Sequence, residues 1–137
     1  MKETLDEQSR QELIRYRLER ADEAMDEARL LFDASHYNAA VNRMYYACFY
    51  ATQALLLKHH IAAATHAGVK TMLGLHFVSK GILPVVHGRT FNTLFEKRHS
   101  SDYEAFAYCD RDMVNDLLPL ALSYIEALKE LVNQSKK

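Results

Sequence analysis

Residues 37–60 decide the fold of this chain, and their sequence is YNAAVNRMYYACFYATQALLLKHH. Apolar residues recur in this stretch at steps of three and four, which is the spacing of one face of an α-helix. More apolar residues fall between them, so the predicted helix is apolar over most of its circumference. Such a helix is typical of the centre of a bundle or of a subunit interface. The first set is Ala40, Met44, Ala47, Cys48, Ala51 and Leu55, and the second is Val41, Tyr45, Tyr46, Phe49, Leu56 and Leu57.

The stretches on both sides of this segment predict further helices. Residues 3–34 and 110–133 each repeat apolar side chains with the same four-three spacing, which predicts two long amphipathic helices. A third helix is expected over residues 68–80. Thr90 is expected to cap a short fourth helix. Pro119 should kink or break the last helix because proline removes one backbone hydrogen bond.

The composition predicts one helical domain. The chain has 137 residues, of which 49% are hydrophobic and 26% are charged, with only four Gly and two Pro. These values and the apolar periodicity favour a single all-α domain over residues 1–137, with its core at about 5–133, built as an up-and-down bundle of four to five helices. No apolar run approaches the ~20 residues of a membrane span, and the polar start is not a signal peptide. We therefore expect a cytoplasmic protein with no membrane partner.

Charge and ligand-type residues restrict the classes of function. The formal net charge is −1, so any contact with RNA or a nucleotide must come from a local cluster of basic residues. The seven His residues lack metal-ligand spacing, and Cys48 and Cys109 form no C-x-x-C pair, so neither a metal site nor a cofactor is expected. His66 is expected to cap or lock the start of the third helix.

Three short patches resemble the small stand-alone prokaryotic proteins of the HEPN superfamily. They are NRMYYACF at residues 42–49, THAGV at 65–69 and RHSSDY at 98–103. The resemblance implies an antiparallel helical bundle that forms a homodimer. It also implies one of two roles, as a metal-independent ribonuclease toxin or as the partner of a minimal nucleotidyltransferase in a toxin–antitoxin-like pair.

The ribonuclease motif of that superfamily is incomplete here. Arg98 matches the motif Arg and His99 matches its polar residue, but the positions for the terminal His, residues 103–105, hold Tyr, Glu and Ala. The leading prediction is therefore a nucleotide- or RNA-associated module with a nucleotidyltransferase partner, more probably without enzyme activity. One alternative is a ribonuclease that uses Arg98 and His99 as catalytic residues. The other is a structural dimerisation module without a ligand.

The polar segment that contains this motif supplies most of the candidate binding residues. Lys97 and Arg98 could provide charge for a phosphate, and Tyr103 could stack on a base. In the structural alternative, Asp102 caps the next helix and pairs with Arg98, while Tyr103 packs against the protein and donates one hydrogen bond. The resemblance also implies that Tyr103 is the residue to which a partner nucleotidyltransferase attaches AMP.

Arg43 and Tyr46 complete the candidate set on the apolar second helix. A buried guanidinium needs a partner, so Arg43 either pairs with a carboxylate such as Asp102 or points into the same cleft as Arg98. Tyr46 is a candidate ligand contact, although Tyr45, Tyr46, Phe49 and Tyr50 are more typical of core or dimer-interface aromatics. The all-round apolarity of this helix predicts a homodimer.

Overall fold

The computed structural model describes residues 6–99 and 109–134, which form an all-α bundle without a strand among them. A π-helical turn, Gly74–Val78, continues the third helix directly. This architecture confirms the predicted fold class. Within the same residues, no helix is both long and apolar enough to cross a membrane. The helices are α1 (Glu7–Asp33), α2 (Tyr37–Lys58), α3 (His66–Leu73), α4 (Val85–His99) and α5 (Arg111–Asn133).

Short polar side chains begin three of the helices. The Asp6 carboxylate accepts a hydrogen bond from a backbone N–H of the first turn of α1, and Asp110 does the same for α5. At α3 the cap is Thr65, whose hydroxyl accepts from the N–H of Gly68 at 2.9 Å. His66 is therefore the first residue inside α3 and not its cap, so its side chain is available for other contacts.

The core lies around α2, which packs against α1, α4 and α5. Many side chains from all sides of α2 are completely buried by the chain itself. Because one subunit already covers them, the apolar circumference of α2 does not by itself require a second subunit, and the homodimer stays a prediction. The fully buried residues of α2 are Ala40, Val41, Met44, Tyr45, Ala47, Cys48, Ala51, Thr52, Ala54 and Leu55.

The fourth helix differs from the prediction. Thr90 lies inside α4, where its hydroxyl donates to the carbonyl of Val86, so it does not cap this helix. The helix begins earlier and includes Gly88, a residue that normally weakens a helix interior. The reason is close packing: a Cβ on Gly88 would lie 3.1 Å from Cγ2 of Val78. Glycine lets α4 approach the π-helical turn.

The last helix continues through its proline. Pro119 lies inside α5 and does not break it, because the helix runs from Arg111 to Asn133; the predicted kink stays a prediction. Proline leaves the carbonyl four residues earlier, that of Asn115, without its helical partner. Both Asn115 and Pro119 are exposed, so water can satisfy this carbonyl and the helix continues.

Candidate functional site

A polar cluster forms where the middle of α2 faces the start of α3 and the end of α4. It consists of Tyr45, Tyr46, His66, Arg98 and His99, and we call it the imidazole–guanidinium site. Neighbouring residues on a helix point about 100° apart. Arg98 and His99 nevertheless converge on α2, because they contact two neighbouring residues there, Tyr46 and Tyr45 respectively.

The two histidines of the site lie side by side. The ring centroids of His66 and His99 are 5.2 Å apart. The His66 ring stacks on Phe49 at 4.2 Å with an interplanar angle of 7°, and the His99 ring stacks on Phe95 at 4.3 Å. Each imidazole is thus held against a phenyl ring of the bundle, which fixes its orientation.

Hydrogen bonds engage one nitrogen of each imidazole. The Nδ1 atom of His66 lies 2.7 Å from the Tyr45 hydroxyl. The Nδ1 atom of His99 lies 3.0 Å from the carbonyl oxygen of Phe95, one turn earlier in α4. A carbonyl oxygen can only accept, so Nδ1 of His99 is the donor. Among the described residues, neither Nε2 has a hydrogen-bond partner, so in both residues this is the nitrogen that a ligand can use.

Burial and neighbouring charge keep His66 neutral. Its pKa is lowered from the ordinary value of 6.5, first by loss of hydration and then by the electrostatic effect of the neighbouring His99 and Arg98. Burial also raises the pKa of Tyr45 well above its ordinary value, so the phenol keeps its proton. The pair therefore consists of a neutral imidazole and a protonated phenol at neutral pH.

Two arginines approach the same tyrosine ring. Arg98 Nη2 donates to the Tyr46 hydroxyl at 3.4 Å, a long hydrogen bond, and its guanidinium carbon lies 5.6 Å from the ring centroid. The guanidinium carbon of Arg43 lies 5.8 Å from that centroid. The two cations flank Tyr46 at distances typical of cation–π contacts.

The carboxylate partner of Arg43 comes from α1. Arg43 Nε lies 2.9 Å from an oxygen of Glu27, close enough for an ion pair, although the N–H is not aligned for a hydrogen bond. Of the two alternatives for Arg43, the expected pairing with a carboxylate is fulfilled by Glu27. Arg43 and Arg98 also contact the same ring, that of Tyr46.

The other predicted binding residues are not all brought together. The charge of Lys97 acts on Cys109, where it partly offsets the burial that raises the pKa of this thiol. Asp102 and Tyr103 lie outside the described residues. Among the residues that are described, no group of three or more His, Cys, Asp or Glu could hold a metal ion.

Sequence reasoning missed the roles of His66 and Tyr45. The patch THAGV contains His66 directly after a hydroxyl residue that caps a helix, which fixes the backbone at this histidine. That pattern could have indicated an oriented imidazole. It could not have indicated that Tyr45, far along the chain, supplies its hydrogen-bond partner.

An all-α bundle of this kind corresponds to one known class of domain. The HEPN domain family model matches residues 14–131. The chain therefore belongs to the HEPN family, as its sequence patches indicate.

Relatives and a solved structure agree with this assignment. A "UPF0332 protein" of Thermotoga maritima is 32% identical over 93% of this chain and 97% of its own length. "Putative toxin MJ0605" of Methanocaldococcus jannaschii is 38% identical over 75% of this chain and 76% of its own length. The crystal structure of ST0689, an archaeal HEPN homologue, matches with a TM-score of 0.72 at 15% identity, covering 88% of this chain and 98% of that one. The structural match shows a shared fold.

Proposed function

We propose that the chain is a HEPN module that binds RNA or a nucleotide through phosphate at the imidazole–guanidinium site. The observation that carries this proposal is the close approach of two imidazoles, His66 and His99, beside the guanidinium of Arg98. These groups offer N–H donors and positive charge, which are what phosphate oxygens accept. The chain as a whole carries a net charge of −1, so this local cluster must provide the attraction.

The charge balance of the site favours an anionic ligand. Within residues 6–99 and 109–134, Arg98 forms no salt bridge, whereas the carboxylate of Glu27 lies beside Arg43. The Nε atom of Arg98 is also buried without a hydrogen-bond partner there. Buried donors are normally satisfied, and an unsatisfied one next to a cleft can be completed by a ligand oxygen.

Tyr46 suits the recognition of a nucleobase. Its ring is half-buried, and its centroid lies 5.8 Å from the guanidinium carbon of Arg43 and 5.6 Å from that of Arg98. Aromatic rings beside a phosphate-binding cation are the usual way in which proteins hold an unpaired base. A single-stranded RNA or a mononucleotide fits this arrangement better than a duplex.

The proposal includes a protein partner. Two relatives in Methanocaldococcus jannaschii are named putative toxins, and the resemblance to small HEPN proteins implies a minimal nucleotidyltransferase as the partner.

Co-expression with such an enzyme encoded beside this chain, followed by co-purification, tests the pairing. Intact mass then tests AMP transfer to Tyr103, with Tyr103→Phe as the control. Light scattering of the purified chain tests the proposed homodimer.

RNA cleavage without a metal is a second candidate function. The observation that favours it is that His66 lies beside His99, so the fold places a second imidazole near Arg98 although the motif lacks its terminal His. His99 Nε2 could take the proton of a ribose 2′-hydroxyl as its oxygen attacks phosphorus and the 5′-oxygen leaves. Cleavage of a labelled RNA in the presence of EDTA would support this candidate.

Arg98→Ala tests the binding proposal. With a fluorescein-labelled single-stranded RNA of twelve nucleotides, we expect anisotropy to show at least about tenfold weaker binding, because a hydrogen bond to a charged group is lost. Arg89→Ala is the matched control, since Arg89 is an exposed arginine of the same helix. Circular dichroism should show both variants folded.

The same experiment can contradict the proposal. Equal RNA affinity of Arg98→Ala, Arg89→Ala and the unmodified chain would show that Arg98 does not hold the ligand. Absence of any binding to RNA, nucleotides or a nucleotidyltransferase would favour the structural dimerisation module.

A further inference from the structure

We propose that Tyr45 fixes His66 in the tautomer with hydrogen on Nε2, so that His66 donates to an RNA phosphate while His99 accepts from the adjacent ribose 2′-hydroxyl. This inference rests on the proposed binding of RNA at the imidazole–guanidinium site. It adds the ligand class and the roles of two residues, His66 and Tyr45, that lie outside the ribonuclease motif.

The first step is the direction of the hydrogen bond between Tyr45 and His66. The Tyr45 side chain is completely buried, and its hydroxyl lies 2.7 Å from His66 Nδ1. A buried hydroxyl must donate its hydrogen, and Nδ1 of His66 is the acceptor that the described residues provide. Nδ1 therefore carries the lone pair, and the hydrogen of the neutral imidazole is on Nε2.

The second step is that His66 keeps this form in the folded protein. A charged imidazolium would carry hydrogen on both Nε2 and Nδ1. The hydrogen on Nδ1 would then face the hydrogen of the Tyr45 hydroxyl, which already donates to Nδ1. Four groups face His66. Arg98 and His99 come from α4, and both act to lower the pKa of His66. Tyr45 and Tyr46 come from α2, where burial keeps the Tyr45 phenol protonated. On its own helix, the charged Lys70 lies over the Phe95 ring. The start of α3 contributes further partial positive charge.

The third step is that His99 takes the opposite tautomer. Its Nδ1 donates to the carbonyl of Phe95, so the Nε2 of neutral His99 carries the lone pair. The two rings are 5.2 Å apart. The site thus presents one Nε2 that donates and one Nε2 that accepts.

This combination selects a ligand class. A ribonucleotide linkage has a 2′-hydroxyl that can donate to His99 close to phosphate oxygens that can accept from His66, and Arg98 supplies the countercharge. DNA lacks this hydroxyl and would leave the His99 acceptor unused. We therefore expect the site to prefer RNA over DNA of the same sequence.

Nuclear magnetic resonance tests the tautomers directly. In long-range ¹H–¹⁵N spectra at neutral pH, His66 should show hydrogen on Nε2 and His99 should show hydrogen on Nδ1. In Tyr45→Phe, His66 should become a mixture of tautomers while His99 stays unchanged. Hydrogen on Nδ1 of His66 in the unmodified protein would overturn the assignment.

Two substitutions of His66 test the donor role. The amide nitrogen of Gln reaches the place of Nε2, whereas that of Asn reaches only the place of Nδ1. His66→Gln should bind the labelled RNA within about threefold of the unmodified chain, and His66→Asn should bind at least about tenfold more weakly. The unmodified chain should also prefer the RNA to the matching DNA.

The outcomes separate this inference from the proposed function. If Arg98→Ala weakens RNA binding but His66→Asn does not, the role of His66 is wrong and the RNA site stands. If His66→Gln and His66→Asn lose binding equally while both stay folded, a donor at the Nε2 position is not what the RNA requires. If the unmodified chain does not bind RNA, the proposed function fails, and the tautomers in the free protein still decide the role of Tyr45.

Discussion

The buried hydroxyls of Tyr45 in α2 and Tyr124 in α5 differ in their hydrogen-bond partners. Tyr124 from α5 bonds to the Thr52 hydroxyl at 2.6 Å, and Thr52 donates in turn to the carbonyl of Cys48 at 2.7 Å. Tyr45 bonds instead to an imidazole, His66, whose second nitrogen makes no hydrogen bond within residues 6–99 and 109–134. The first arrangement ends on the backbone, whereas the second ends at a half-buried side chain.

This difference separates a structural hydrogen bond from one that can support function. Both Thr52 and Tyr124 are fully buried, and burial raises the pKa of Tyr124 well above its ordinary value. This pair is therefore inaccessible to solvent and to a ligand. His66 is only half-buried. Substitutions at the two places should therefore separate stability from RNA binding.

Thr52→Val should have the largest effect on stability. The Thr52 hydroxyl donates its only hydrogen to the carbonyl of Cys48, so Tyr124 must be the donor of the hydrogen bond between Tyr124 and Thr52. Valine leaves that buried donor without a partner, which costs about 1–3 kcal/mol. Urea unfolding should show this loss in the free energy of unfolding, with RNA affinity unchanged at a temperature where the variant is folded.

The double variant Thr52→Val with Tyr124→Phe provides the control. Removing both polar groups leaves no unsatisfied donor, so its stability should lie closer to that of the unmodified chain than Thr52→Val alone. A double variant that loses the sum of the two single effects would contradict the proposed donor direction.

Tyr45→Phe should have a smaller effect on stability. It removes one hydrogen bond, typically worth about 0.5–1.5 kcal/mol, and water can reach the partly exposed His66 that it leaves behind. RNA binding should weaken because the tautomer of His66 is no longer fixed. A loss of stability as large as that of Thr52→Val, with RNA affinity unchanged, would show that the two tyrosines have the same structural role.

The smallest effect expected is a pH dependence that arises at His66. Its pKa is lower in the folded protein than the ordinary 6.5, so below about pH 6.5 the unfolded chain binds more protons at this residue. The contribution of His66 to the free energy of unfolding is therefore largest above about pH 6.5. It declines as the pH falls from there towards the lowered pKa of the folded protein. The melting temperature of His66→Asn should therefore fall less between about pH 7 and pH 5 than that of the unmodified chain. Identical pH profiles would contradict the lowered pKa.

Local sequence patterns were sufficient to predict much of the fold. The apolar spacing of residues 37–60 predicted α2 because helical periodicity is a property of neighbouring residues. Thr90 was interpreted wrongly, and Pro119 does not break its helix, because tertiary packing and solvent decide those cases. Gly88 lets α4 pack closely on Val78, and the exposed carbonyl of Asn115 lets α5 continue past Pro119.

The candidate site was predictable only in part. Arg98, His99 and Tyr46 could be selected from their motif and their chemistry. The pairing of Arg43 with Glu27 and that of Tyr45 with His66 join residues of different helices, and these contacts depend on how the helices pack. No local spacing in the sequence encodes them.

Histidine spectra during an RNA titration test the central claim, that the imidazole–guanidinium site binds RNA. The chain has seven histidines; His36 precedes α2 and His76 lies in the π-helical turn, so these two report on other regions of the chain. With the labelled RNA added at neutral pH, the ¹⁵N resonances of His66 and His99 should shift together, while His36 and His76 stay in place. RNA binding that leaves His66 and His99 unshifted would contradict this account.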